Sequence, residues 1–571
     1  MLYFVVAGIF ILIAALVIGI GLLHWLDGHA QLRAGDRAIL ALWVGLIVMA
    51  NGLLALALLL PLSPIVGGAA MVLAVAVALA FPAVRHDLSK VLSPFARLGL
   101  WWLLILAVLV AAFTSRQVVW FDTGLYHFGS IQWLESHGAV PGIGLINSGF
   151  AFVSAWFALA APFNPRALGS SGSAILSSVS LLLVLLHGAL CVIRVWRRSA
   201  QLSDWFWLAY LLLTLPVLTL TSFMSAVLVS PSPDIPVIFL VGITAWAILV
   251  SYQPLTGDPS SIVPSSNLTP LLMFGVGAVT FKLHGLPVLL IALALYGFRH
   301  FRSLRQLTVG VVLVAVTVAP MLAHGVIASG CPLYPSTVLC ADVPWRVLES
   351  EASAARASIS GWSSWFNLTP SNLSSRWQIF QAWLALAHLN KVMLGLAVMA
   401  IPLLAWLSQH LRRHKYRGGG WIIALSLLGM AFIFARAPLM RFGMGYFMAL
   451  PALAMASAVA AWLPRKTIDP SDATTLQLSL PQGGKLFMFF LAGLIVVRTV
   501  QSPEGNHWLI PPELPEARVT AAENNDIDYL HPTYADQCWG AEIPCAPGPL
   551  SASKVELLDP EQGIAGGFMR P

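Results

Sequence analysis

Charged side chains are scarce in this chain: 10% of its 571 residues are Asp, Glu, Lys or Arg, against about 25% in an ordinary soluble domain. With 58% of the residues hydrophobic, too little polar surface is left to keep a globule in water, which excludes a soluble protein. A basic stripe is missing as well. The 31 Lys and Arg and 24 Asp and Glu are scattered as loop punctuation, without an RNA-binding signature or helix-turn-helix pattern, and nucleic acid is excluded as a partner. Cysteines number five, and none has the CxxC spacing of a zinc or redox site. The N-terminus lacks the positive stretch of a secretory signal, and its apolar run from Leu2 to Leu23 exceeds a signal core of about 7–15 residues, so it is expected to be the first membrane helix.

What is present is a succession of apolar runs of roughly the 17–25 residues that span hydrocarbon as helices. Broken at Pro, Gly and charge clusters, they predict an all-α polytopic membrane protein of about fourteen transmembrane helices, at 2–26, 38–60, 65–84, 98–113, 172–193, 205–228, 235–252, 268–281, 285–298, 306–327, 388–408, 420–435, 442–462 and 485–502. Alternate loops then divide the basic residues unequally. One set, from Arg33 and Arg37 through Arg412, Arg413, Lys415 and Arg417 to Lys485, carries 18 of the 31 on short loops. The positive-inside rule assigns that set to the cytoplasm. Both termini then face outward, with three long segments: 114–171, 328–387 and the tail after Gln501.

Four cysteines fall in two close pairs on the expected outer side, Cys331 with Cys340 and Cys538 with Cys545. Thiols paired there suit an oxidising compartment, which in a bacterium is the periplasm, and both pairs are predicted to be disulfides. Cys191, within a helix, reads as a small buried hydrophobe.

Channels and transporters usually place ionisable groups or helix breaks at mid-membrane, often in repeated halves. Neither feature is evident. Unusual polar residues gather instead at the outer ends of helices: Asp122, His127 and Glu135 in the first long segment, Asp234 in Ser-Pro-Ser-Pro-Asp-Ile-Pro, Lys282 and His284 in Phe-Lys-Leu-His-Gly, and Arg436 and Arg441 around Pro438. The stretch Trp120 to Glu135 reads as a short helix along the interface, with Asp122, Tyr126 and Trp133 on one face. Asp122 has two readings. It either caps that helix or serves as a general base beside the membrane. Asp234 is a cap or a support for the same face. Lys282 either snorkels to the interface or presents a cation to a phosphate, and Arg436 and Arg441 are anchors or phosphate ligands.

The order of these features resembles the GT-C superfamily of membrane glycosyltransferases, which includes protein O-mannosyltransferases and the lipid A aminoarabinose transferases. The features are an acidic residue in the first long outer loop, Ser-Pro-Asp-x-Pro before a later helix, Lys-x-x-Gly in a helical hairpin, the Gly-Cys-Pro-Leu-Tyr-Pro loop, and Arg-Phe before a late helix. The resemblance spans about Leu98 to Leu463. More closely, Phe-Asp-Thr-Gly-Leu-Tyr-His, Pro-Leu-Tyr-Pro-Ser and the terminal Asp536-Gln-Cys-Trp-Gly-Ala-Glu-Ile-Pro-Cys look like an uncharacterised bacterial family of polytopic membrane proteins.

The GT-C resemblance implies a three-helix module at 1–97, a transmembrane domain at 98–502 with interfacial helices in its first periplasmic loop, and a periplasmic tail at 503–571. It further implies a polyprenyl-phosphate-linked sugar donor, a glycan, lipid or protein acceptor, and membrane lipids as surroundings in a bacterial inner membrane. Asp122 is carried over as catalytic base, Lys282, Arg441 and Arg436 as ligands of the donor phosphate, and Tyr126, His127, Glu135, Asp234 and His284 as supports. Many superfamily members show Asp-Glu or Asp-x-Asp where this chain has Asp122-Thr123-Gly124. One carboxylate is thin support for a divalent ion, so no cofactor or metal site is assigned. Trp345, Trp362, Trp365 and Trp377 in the second long loop are either sugar-stacking surfaces or interface anchors. A non-catalytic subunit, flippase or polymerase of envelope-polysaccharide assembly is the rival expectation.

Overall fold

The computed structural model describes residues 1–27, 32–97, 100–165, 172–252, 268–360, 376–462, 509–548, 550 and 555–571. Nineteen α-helices lie among them. The first five are α1 (Leu2–Asp27), α2 (Ala34–Ala57), α3 (Pro64–Ala80), α4 (Pro82–Arg97) and α5 (Leu100–Thr114). Two short helices, α6 (Phe128–Ser136) and α7 (Ala155–Ala160), belong to the first long segment. They are followed by α8 (Ile175–Trp196), α9 (Leu202–Leu220), α10 (Ser222–Leu228), α11 (Asp234–Ser251), α12 (Thr269–Phe281), α13 (Leu286–His300) and α14 (Leu304–Ser329). The last five are α15 (Glu349–Ser360), α16 (Arg376–Leu386), α17 (His388–Arg413), α18 (Gly419–Arg436) and α19 (Met440–Trp462).

Ten helices among the described residues are long and apolar enough to cross a membrane, and the bent pair α3 and α4 makes an eleventh if it counts as one span. The expectation of fourteen is corrected at two helices and open at a third. Helices α5 and α12, of 15 and 13 residues, fall short of a full span, and the run 485–502 lies outside the described residues. The chain turns by 97° between Ala80 and Pro82, so the run expected at 65–84 ends early. Its start follows the usual helix-entry chemistry: Ser63 accepts the Val66 amide and Pro64 takes the first helical position.

Packing between α1 and α2 depends on small residues. A Cβ on Gly19 would lie 1.8 Å from the Ala41 carbonyl oxygen, and one on Gly45 would lie 1.8 Å from that of Ala15. Ala15 and Gly19 are four residues apart, as are Ala41 and Gly45, so each helix offers a small-xxx-small stripe to the other. Helices α11 and α19 form the centre of the bundle, with every residue of α11 and the first eleven of α19 buried.

At one end of the bundle the first long segment, the second long segment and the tail build a second core. Trp133, Ile143 and Phe150 come from the first, Tyr334 and Val347 from the second, and Ile527, Tyr529 and Phe568 from the tail. The described part of the tail carries β structure. Strands β1 (Val519–Asn524) and β2 (Ile527–Pro532) pair antiparallel with Asn524 opposite Ile527, and Asn525 and Asp526 both adopt positive φ, as the tight hairpin turn requires. Strands β3 (Glu556–Leu557) and β4 (Phe568–Met569) form a second pair. The all-α expectation therefore holds for the membrane body and not for the tail. The N-terminus sits at this same end, where the Tyr3 amide donates to Leu509 O and the Tyr3 hydroxyl to Phe163 O.

Both predicted disulfides are present, Cys331 to Cys340 and Cys538 to Cys545, and Cys191 is buried and free.

Candidate functional site

The ends of α11 and α19 meet the first long segment at a group of charges. After α5 the chain runs to Trp120 and Asp122, then enters a π-helical turn over Thr123–His127, closed by the Phe128 amide donating to Thr123 O. Asp122 makes no capping hydrogen bond to this turn, which removes the cap reading. Its carboxylate instead accepts a hydrogen bond at 2.6 Å from the Arg441 guanidinium, 319 residues away at the start of α19. Asp234, first in α11, also caps nothing through its side chain. It accepts from Lys282 Nζ at 2.5 Å and from the Ser232 hydroxyl at 3.2 Å, with Arg441 and His284 each 3.9 Å away.

Two acids thus alternate with two basic side chains, and aromatic rings wall the group. Arg441 lies over Trp120 and Phe442, and Lys282 over Phe442. Lys282 reaches this position because α12 stops at Phe281 and the chain makes one 3-10 turn, Leu283–Gly285, before α13. Gly285 is required there, since a Cβ would lie 2.4 Å from the Ala278 carbonyl. Lys282 therefore pairs with Asp234 and does not snorkel. The Lys282 and Asp122 side chains keep 21% and 15% of their surface exposed, whereas Arg441 and Asp234 keep 4% and none. An incoming ligand meets the first two before the others.

Electrostatics follow from this geometry. Burial works to raise the Asp122 carboxyl, and the surrounding groups, Arg441 foremost with Lys282 beyond it, together more than offset it, so the group lies below the ordinary carboxylate range. Burial pushes the Tyr126 phenol well above its usual value, with Asp122 and Asp234 adding to the rise. Burial also takes the His127 imidazole down to about 3, against the pull of Asp122. His127 is therefore neutral, although the wider π turn places it, five residues on, within electrostatic reach of Asp122.

Other expected residues fall elsewhere. Glu135 is buried against Asn164, which donates to it at 3.4 Å. Trp133 is enclosed in the second core with its ring edge-on to Phe568, so the tail covers this side of α6. Arg436 is exposed at the last position of α18 and is in none of the ion pairs of this group. Trp345 anchors the second loop by donating to Val326 O, Trp377 is exposed and stacked on Phe380, and Trp362 and Trp365 lie outside the described residues. A cavity of about 20 Å³, room for roughly one water, lies beside Phe152, Phe157 and His324 and not among Asp122, Lys282 and Arg441. Among the described residues no three His, Cys, Asp or Glu side chains are grouped to hold a metal ion.

Trp120 was not given a role from the sequence, although it stands two residues from Asp122, and Ser232 and Phe442 were read only as parts of motifs. A further ion-pair group was also read only as loop punctuation. At the other end of the bundle Arg33 and Arg194 each bridge Asp36 and Asp204, and Arg37 pairs with Asp87.

The comparisons with known proteins add one fact. No curated protein and no solved structure matches this chain. A family model described as a domain of unknown function, DUF8201, matches residues 1–448, a span that includes Asp122, Asp234, Lys282 and Arg441. The chain belongs to the DUF8201 family.

Proposed function

We propose that the chain is a GT-C-type glycosyltransferase of a bacterial inner membrane, which moves a sugar from a polyprenyl-phosphate carrier to a periplasmic or lipid-linked acceptor with inversion. The observation that carries this reading is the state of Asp122: a carboxylate that caps no helix, kept among Arg441, Asp234 and Lys282 at the end of an apolar bundle. Ionisable groups at such places are costly and are usually retained for function. The group sits at the end of the bundle that carries the three long segments, in keeping with an active face on the periplasmic side.

In this mechanism the acceptor hydroxyl or amine attacks the anomeric carbon. Its proton passes to Asp122, the bond from the anomeric carbon to the phosphate oxygen breaks, and the electron pair leaves with polyprenyl phosphate. Lys282, the more exposed cation, receives the phosphate first, and Arg441 neutralises the charge that develops on it. As Arg441 turns toward the phosphate, it relaxes its hold on Asp122 and lets that carboxylate become a better base. Asp234 holds Lys282 in place.

One observation favours a second reading. The two acids and two cations already balance one another, so the group is complete as a structural clamp, as expected of a non-catalytic subunit, flippase or polymerase of polysaccharide assembly. Proteoliposomes given a panel of radiolabelled polyprenyl-phosphate hexoses and pentoses separate the two. The transferase reading expects release of polyprenyl monophosphate by the wild type and a roughly 10²- to 10⁴-fold loss in Asp122→Asn. Equal release by both proteins contradicts it.

A further inference from the structure

The tail reaches back to Asp122. Gly124 O accepts hydrogen bonds from the Cys538 amide at 2.8 Å and the Trp539 amide at 3.2 Å, and Gln537 Nε2 donates to Phe121 O at 3.2 Å. These contacts fall on both sides of Asp122. The Trp539 indole lies flush against Gly124, where a Cβ would stand 2.7 Å from a ring carbon, so no larger residue fits at 124 without moving the ring. Trp539 Nε1 in turn donates to Gln537 Oε1, which ties the indole to the residue that holds Phe121.

The far end of the same loop is fixed independently. The Cys538 to Cys545 disulfide closes it, Leu530 N donates to Pro544 O, and Ala546 N donates to Leu530 O, each at 2.9 Å. Leu530 belongs to β2, whose Ile527 and Tyr529 are buried in the second core beside Trp133 and Phe568. Asp122 itself stands in the opening turn of its helix, with αR backbone angles directly before the π turn and no cap from its own side chain. A segment of that kind needs outside support to stay within the tolerance of about 1 Å that catalysis demands.

We infer that the disulfide-closed loop Cys538 to Cys545 is a positioning element for Asp122, acting through the contact of Trp539 with Gly124. The inference rests on the reading of Asp122 as the general base. It adds to that reading a segment outside the family-matched residues 1–448 whose part in the site is geometric and not chemical. Trp539 touches no reacting atom in this arrangement.

The test uses the full chain in nanodiscs or proteoliposomes, with Trp539→Ala, the pair Cys538→Ser and Cys545→Ser, Gly124→Ala, and Gly124→Ala combined with Trp539→Ala. Hydrogen exchange over 121–127 reads the hold on the turn whether or not transfer is detected. It is expected to rise about tenfold in Trp539→Ala and in the cysteine pair, with exchange in α11 and α19 unchanged. Donor turnover is expected to fall roughly ten- to a hundredfold in kcat with the donor KM unchanged. Because the methyl at 124 acts by displacing the indole, the double variant is expected to be no worse than Trp539→Ala alone.

Unchanged exchange over 121–127 in Trp539→Ala overturns the inference whatever the assay shows. Raised exchange with normal kcat, in a protein that Asp122→Asn inactivates, overturns it as well. Full transfer by Asp122→Asn removes the general-base reading instead, and raised exchange in that case still supports the hold of the loop on the turn.

Discussion

Arg441 donates to Asp122 at 2.6 Å, joining the approach to a π turn to a residue 319 positions later in the first turn of α19. Neither group has a cheap alternative. Removing one member of a buried pair leaves an uncompensated charge, which costs about 3–5 kcal/mol, whereas removing both is often close to neutral.

Arg441→Gln is therefore expected to destabilise the protein by about that amount, and Asp122→Asn combined with Arg441→Gln to recover much of the loss. Thermal unfolding of the detergent-solubilised variants measures this. A double variant as unstable as the sum of the singles would show that the two residues do not act as a pair.

Stability should also depend on pH through His127. Its folded value of about 3 lies below the ordinary 6.5 because of burial. As pH falls through 6.5 the unfolded chain takes up a proton that the folded chain refuses, so His127 makes stability fall between about pH 6.5 and 3 and has no effect above that window. His127→Gln, which has no such proton, is expected to flatten the acid limb of the stability profile. Identical limbs for the variant and the wild type would contradict the assignment.

Sidedness is tested by labelling. The two ion-pair groups sort as alternating loops require: Asp122, Asp234, Lys282 and Arg441 at one end, and Arg33, Asp36, Arg194 and Asp204 at the other. The expectation that the short basic loops face the cytoplasm sets the outcome. With Cys191 buried, a membrane-impermeant maleimide is expected to label Glu561→Cys and to spare Arg413→Cys in intact cells. The reverse pattern would invert the topology.

The spans were legible in the sequence because a run of about twenty apolar residues has few alternatives in a bilayer. Fewer full spans are found among the described residues: α12, already a short run of 14 at 268–281 in the sequence, has 13 residues, all buried, and α3 ends in a right-angle turn that composition does not signal. At the site, Asp122, Asp234, Lys282 and Arg441 were legible as charges out of place in an apolar chain, whereas their pairing is a matter of tertiary contact that no local pattern encodes. Arg436, five residues before Arg441, has the same local chemistry and stays exposed, because α18 ends there while α19 carries Arg441 inward. The hold of Trp539 on Gly124 was not legible at all. It joins residues 415 apart through a loop that packs on strand β2.

Lys282 and Arg441 are proposed as a seat for a lipid phosphate beside Asp122. Binding of polyprenyl monophosphate, the product shared by every donor of this class, tests it most directly without knowledge of the sugar. Native mass spectrometry in nanodiscs is expected to show a wild-type complex, binding weakened about tenfold or more in Lys282→Gln through loss of a charge-assisted contact, and binding at least as tight in Asp122→Asn, which frees Arg441 from its partner. Equal binding by wild type and Lys282→Gln, or none by the wild type, would contradict the account.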